Sequence, residues 1–230
     1  MIKGWGFLPI LLAVAACAGD DEPAPAAGQG AAIATDERPA VVFLGTSLTA
    51  GLGLDPDEAY PAYVQRRIDN EGLPFSVVNA GVSGETSAGA RQRIDWILRR
   101  PVAVLVVETG ANDGLRGLDP EAMRKNLDGI LERASREDPP PALVVVGMEA
   151  PPNLGARYTT DFRNVFRETA EKHGAAFVPF LLEGVAGVPS LNQGDGIHPT
   201  AEGQRRMANT VWRVLEPILR ERAARVTARR

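Results

Sequence analysis

The feature that most limits how this chain can fold is a recurring alternation. Short runs of continuous apolar residues are separated by longer stretches with one apolar face. Ala40–Gly45 (Ala-Val-Val-Phe-Leu-Gly) is such a run, with no polar residue to face water. Phe75–Asn79, Val102–Val107, Ala142–Met148 and Ala175–Pro179 are four more. Runs of this length that never alternate with polar residues read as strands buried on both faces. Between them, Glu58–Glu71, Thr86–Arg100, Pro120–Arg136 and Thr159–His173 carry apolar residues at helical spacing, and a last helix is expected from Thr200 to about Leu219. In the first of these helices Tyr63, Val64 and Ile68 are the inward candidates; in the second, Ile94, Ile97 and Leu98. Gly174 is placed to end the fourth, with His173 in its last turn, where a histidine favours the helix dipole and no catalytic role is assigned. Strand and helix in strict alternation imply an α/β chain: one domain of three layers, α/β/α, around a five-stranded parallel sheet.

Such a sheet places its chemistry in the loops after the strands, at their carboxyl ends. After the first run comes Gly45-Thr46-Ser47-Leu48-Thr49-Ala50-Gly51, which can present a serine hydroxyl and its amide at the sheet edge or act as a helix cap. After the second comes Asn79-Ala80-Gly81-Val82-Ser83-Gly84-Glu85-Thr86, whose glycines permit close approach or simply turn the chain. After the third, Gly110-Ala111-Asn112-Asp113-Gly114 offers a side-chain amide, again within ordinary turn chemistry. Near the end, Asp195 and His198 lie three apart in Gly194-Asp-Gly-Ile-His-Pro-Thr200. A carboxylate at that spacing can bond one imidazole nitrogen and leave the other free as a base, or the pair can serve as local cap and surface residue. Each loop alone is ambiguous. Together they supply a nucleophile, backbone donors, a side-chain amide and an acid–base pair, which are the parts acyl transfer needs.

Composition removes several alternatives. The formal net charge of −4 gives no basis for nucleic-acid binding. Two histidines and one cysteine are too few for a clustered zinc site, and the single cysteine excludes an internal disulfide. No metal or cofactor is called for. The amino terminus reads as an address. Lys3 precedes an apolar run, Phe7–Ala16, that is short of the roughly 20 residues a spanning helix needs and suits a signal peptide over 1–16. It ends Val14-Ala15-Ala16-Cys17, similar to a bacterial lipobox, so Cys17 is the expected site of lipidation. Residues 17–39 lack aromatics and are rich in Ala, Gly, Pro and acids, as a tether would be. The folded domain is expected over 40–220, and 221–230 as a basic tail; Arg220 to Arg230 holds five arginines, either a solvated helix end or a contact for anionic lipid. The protein is thus expected to be an exported lipoprotein, anchored in a membrane and facing the periplasm or cell exterior.

The four loop segments resemble the four blocks of the SGNH (GDSL-type) hydrolases, centred on Ser47, Gly81, Asn112 and His198. Val78–Ser87, Gly110–Gly117, Pro151–Gly155 with Tyr158, Pro179–Val185 and Asp195–Pro199 are similar, more narrowly, to the thioesterase I/lysophospholipase L1/arylesterase subgroup. The resemblance runs from about Val41 to Leu219. It implies a flavodoxin-like fold and a serine esterase with Ser47 as nucleophile, His198 as base and Asp195 as its orienting acid. It assigns the oxyanion to the amides of Ser47 and Gly81 and the side chain of Asn112. It also places an acyl groove beside Leu115 and the loop Met148–Asn153, with Met148, Pro151 and Asn153 as substrate contacts. The implied substrates are small acyl esters, thioesters or lysophospholipids. Asp113 and Arg116 are expected to pair and fix the Asn112 loop, or to touch substrate, and Glu108 and Thr109 to support that loop. One position departs from the family: where its motif reads Gly-Asp-Ser-Leu, this chain has Thr46, so any part that first acid plays in shaping the turn is open. The rival readings are a carbohydrate O-acetylesterase with the same triad, a non-catalytic lipid- or glycan-binding module, and a flavodoxin-like cofactor binder.

Overall fold

The computed structural model describes Met1 and residues 38–227. Cys17, the 1–16 leader and nearly all of the 17–39 tether lie outside the described residues, as do the last three arginine-rich positions of the tail.

Five parallel strands form the sheet in the order β2-β1-β3-β4-β5. They are β1 Ala40–Gly45, β2 Ser76–Gly81, β3 Val102–Glu108, β4 Ala142–Val146 and β5 Ala176–Val178. The five apolar runs of the sequence are these strands, with ends shifted by a few residues. β1 is buried along its whole length because it has a strand on either side and helices above and below. The major helices are α2 Tyr60–Asn70, α3 Ser87–Ile97, α5 Pro120–Ala134, α6 Ala156–Lys172 and α7 Ala201–Thr227. Helix α3 packs on α5 and α5 on α6, while α2 packs on α7. These two groups cover the two faces of the sheet and give the three layers. Crossover connections carry the chain one way from β1 to β2 and the other way from β3 to β5, so strand order reverses at β1/β3.

Three local features differ from the sequence reading. Two short helices, α1 Ser47–Ala50 and α4 Ala111–Leu115, occupy the loops after β1 and β3. Both are too short for a periodic signal. Helix α7 does not stop near Leu219 but continues to Thr227, so 220/221 is not a structural boundary. Its last turns are built from strong helix formers, and Glu216–Arg220 and Glu221–Arg225 add ion pairs at i,i+4 spacing. His173 is the C-cap of α6, Gly174 follows at φ +61° and ends the helix as expected, and His173 Nε2 lies 2.8 Å from Asp128 Oδ1.

Register aligns the chemistry. Gly45 at the end of β1 sits opposite Gly81 of β2 and opposite Glu108 of β3. The first, second and third loops therefore leave the sheet side by side at the reversal point. A cleft at the amino ends of the strands, lined by Pro39, Phe75, Pro101, Pro139 and Arg222, is on the opposite edge from this site.

Candidate active site

Thr46 is the N-cap of α1, and its hydroxyl accepts from the Leu48 amide at 3.4 Å. Ser47 is thus the first residue of a tight turn lying directly on the sheet edge. That turn fits because Gly45 and Gly81 have no side chains. A Cβ on Gly45 would come within 2.0 Å of Thr49 Oγ1, and one on Gly81 within 2.3 Å of the Ala50 amide nitrogen. Gln204 of α7 holds the turn from the other side, accepting from the Tyr60 amide at 2.9 Å and donating to the Leu48 carbonyl at 3.1 Å.

Ser47 Oγ lies 2.9 Å from His198 Nε2, and His198 Nδ1 lies 2.6 Å from Asp195 Oδ2. With the Nδ1 proton donated to the carboxylate, Nε2 is left as the acceptor for the serine hydroxyl. Asp195 also accepts the amides of Ile197 at 2.9 Å and His198 at 3.0 Å through Oδ1. The His198 side chain first, then these amides, hold its carboxyl well below the usual carboxylate range. Sequence reading did not foresee what brings this loop to the serine. Gln193 donates to the Leu52 carbonyl, just past α1, at 2.8 Å and to the Pro199 carbonyl at 3.0 Å. Its amide takes the His198 carbonyl at 2.7 Å.

The donors around Ser47 differ from the expected set in one member. Asn112 Nδ2 donates one proton to the Glu85 carbonyl at 2.9 Å, which leaves its second proton for a ligand. The Ser47 amide has no acceptor among the described residues. The Gly81 amide is already used: it donates to Asn79 Oδ1 at 3.0 Å, and Asn79 Nδ2 is fixed on the Thr49 carbonyl at 2.8 Å. Gly81 is a packing glycine under α1, not a free donor. In that loop the Gly84 amide is among those without an acceptor among the described residues, and Gly84 sits at φ +78° with open space where a Cβ would be. Its carbonyl is held by Arg116 at 3.0 Å, and the next carbonyl, Glu85, is held by Asn112. Gly84 therefore lies beside Asn112, where Gly81 does not.

Asp113 and Arg116 do not pair with each other; no ion pair joins them among the described residues. Asp113 is buried and accepts the amide and hydroxyl of Ser87 at 2.8 and 2.6 Å, seating the start of α3. Glu108 serves a different loop from the one expected. It accepts the Thr46 amide at 2.9 Å and the Thr49 hydroxyl at 2.8 Å, so it holds the serine turn. Thr109 Oγ1 is buried without a partner among the described residues and holds neither loop. Burial pushes the Glu108 carboxyl up to about 7, against these donors.

Of the expected substrate contacts, Leu115 is exposed on the Asn112 loop, and Pro151 and Asn153 lie at the surface after β4. Met148 is only 6% exposed and belongs to the core, because it leaves β4 still covered by α6; it backs this region without lining it. Leu52, Val82 and Ile197 are large apolar residues exposed on the loops after β1 and β2 and beside His198. No sequence period marks them, since they belong to loops. Among the described residues no group of three or more His, Cys, Asp or Glu is placed to hold a metal ion.

The model of the GDSL-like Lipase/Acylhydrolase family matches residues 43–206. The esterase TesA of Pseudomonas aeruginosa is 40% identical over 180 residues, covering 78% of this chain and 89% of that protein. The thioesterase 1/protease 1/lysophospholipase L1 of Escherichia coli K12 is 33% identical over 181 residues, covering 78% and 84%. A crystal structure of TesA superposes with a TM-score of 0.74 at 40% identity, over 78% of this chain and 99% of that one. The match spans all the loops described above, and the chain belongs to the GDSL-like lipase and acylhydrolase family and is a hydrolase.

Proposed function

We propose that the protein hydrolyses carboxylic esters and thioesters through a covalent acyl-enzyme formed on Ser47. The observation that carries this reading is the continuous chain from Ser47 Oγ through His198 to Asp195, with bonds of 2.9 and 2.6 Å. Ser47 Oγ attacks the acyl carbon while its proton passes to His198 Nε2. The tetrahedral oxyanion is held by the Ser47 amide, the free proton of Asn112 Nδ2 and the Gly84 amide, replacing Gly81 in that role. Its collapse expels the alcohol or thiol, which takes the proton from His198. Water then attacks the acyl-enzyme by the same relay and frees Ser47. Asp195 stays ionised throughout and stabilises the imidazolium.

The relatives named esterase and thioesterase/lysophospholipase support aryl esters, acyl thioesters and lysophospholipids as the substrate classes. The exposed Leu52, Val82, Leu115 and Ile197 would give an acyl chain an apolar surface around the serine. The sequence at Cys17 supports export and lipid anchoring of the amino terminus, with the domain facing the periplasm or exterior. A fluorophosphonate probe followed by peptide mapping tests the core of this reading. The adduct is expected on Ser47, and Ser47→Ala should neither label nor turn over an aryl ester. Labelling of another serine, or an active Ser47→Ala enzyme, overturns it.

A further inference from the structure

Glu108 is a carboxylate buried at the site edge that the proposed chemistry leaves unused. It is 2% exposed, and it points at the turn before Ser47. The peptide unit joining Gly45 to Thr46 is held at both ends. Its N–H, on Thr46, donates to Glu108 Oε2 at 2.9 Å. Its carbonyl, on Gly45, accepts the Val82 amide at 2.9 Å and Arg93 Nη2 at 3.3 Å. Arg93 is itself fixed by Glu85 at 2.7 Å and donates to the Ala80 carbonyl at 2.6 Å. A carboxylate and a guanidinium thus clamp one peptide plane from opposite sides, one residue ahead of the nucleophile.

Glu108 makes more than that contact. Thr46 Oγ1 lies 3.1 Å from both carboxylate oxygens, and Thr49 Oγ1 lies 2.8 Å from Oε2. Thr49 is also 2.8 Å from Tyr60 Oη. The proton order that satisfies all these groups runs Tyr60 O–H to Thr49 and Thr49 O–H to Glu108. It ends on the carboxylate, which accepts at both oxygens, whereas a neutral acid or an amide keeps one acceptor oxygen and turns the other atom into a donor facing Thr46 Oγ1. Thr46 carries no charge, so in this chain the turn depends on an acid from a different strand.

We infer that Glu108, as the carboxylate, is a positioning residue for Ser47: by fixing the Gly45–Thr46 peptide plane and the Thr46 and Thr49 hydroxyls, it sets the direction of the Ser47 side chain and amide. This rests on Ser47 being the nucleophile. The groups that face Glu108 are Thr46 and Thr49 of the turn, Tyr60 of α2 and Gly45 of β1; α7 brings only the uncharged Gln204 behind Tyr60 and Leu48. Arg93 lies on the far end of the clamped peptide, and His198 bonds Ser47 Oγ and not Glu108. With its carboxyl pushed up to about 7, Glu108 changes form within the working range. The carboxylate is the competent form, so the positioning is present above that pH and is lost below it.

The test is the ratio of kcat between the wild type and Glu108→Gln on a short, soluble aryl ester, measured across pH. Misplacing a reacting group costs about tenfold to a hundredfold. The ratio is expected to be that large above pH 7 and to fall toward one as pH drops, since the neutral acid and the amide alike present one acceptor oxygen beside a donor where the carboxylate presents two acceptors. KM should change little. A purely structural role would give a ratio that does not vary with pH. Thr49→Val, close in shape, removes one donor to the carboxylate, so the same step should move to higher pH; this variant decides the matter if Glu108→Gln does not fold. A pH-independent ratio, a Glu108→Gln enzyme of normal kcat, or an unmoved step in Thr49→Val overturns the inference. Fluorophosphonate labelling separates the two levels: if Ser47 is labelled and these results fail, only the role of Glu108 is lost.

Discussion

Two carboxylates serve this site from opposite environments. Glu108, at the end of β3, is buried and its carboxyl is pushed up to about 7 by desolvation. Asp195, on the loop before α7, has a side chain 47% exposed, and the His198 side chain and two amides hold its carboxyl well down. The same chemical group takes opposite shifts because desolvation outweighs the hydrogen bonds at buried Glu108, whereas at exposed Asp195 the hydrogen bonds from His198 and the two amides prevail. The contrast extends to their surroundings. The serine turn is locked between β1, β2, α2 and α7, and nearly every residue from Ala40 to Thr49 is buried. Residues 194–196 are exposed and are tied to the turn chiefly by Gln193. The half of the site that positions the nucleophile is part of the core. The half that moves protons is a surface loop.

Three substitutions probe that contrast, in falling order of effect on turnover. His198→Ala removes the base, and kcat should drop by about four orders of magnitude. Because the loop is exposed, the thermal midpoint should stay within a degree or two of the wild type, as roughly expected for a surface change. A large loss of stability would show that the loop also supports the fold. Asn112→Ala should lower kcat about a hundredfold with KM nearly unchanged, since its free proton is needed only when the oxyanion forms. A change confined to KM would make Asn112 a ground-state contact. Gly45→Ala acts on the buried half. Its Cβ would press on Thr49 Oγ1 and Glu108 Oε2, and it should cost about 1–3 kcal/mol of stability, read by denaturant unfolding, with activity falling alongside. If Gly45→Ala unfolds like the wild type, the turn is looser than its packing indicates.

The strands and long helices were legible because burial on two faces and amphipathic spacing are local patterns. The pairing of Asp195 with His198 needs only three residues of chain, whereas Ser47 was ambiguous in its own turn and was singled out by the four loops together and by the family resemblance. Other features had no local signature. Met148 continues an apolar run past the end of β4, so the sequence could not show that the core still covers it. Thr109 directly follows Glu108, the last residue of β3, yet only the Glu108 side chain points toward the serine turn.

What the sequence by itself determined is the order of the elements, the edge at which the loops gather, and the residues able to do acyl chemistry. The tertiary structure decided which backbone donors remain free to do it. Gly81 and Gly84 lie three residues apart in one glycine-containing loop, and nothing in their order ranks them. The fold places the Asn79 side chain on the Gly81 amide and leaves the Gly84 amide, one residue before the carbonyl that Asn112 bonds, without an acceptor among the described residues. The same holds for Glu108, whose partners lie about 60 positions earlier and meet it only because β1 and β3 are neighbours in register. A residue's chemistry is written in its type, whereas the availability of a hydrogen-bonding group depends on what the packed chain has already bonded to it.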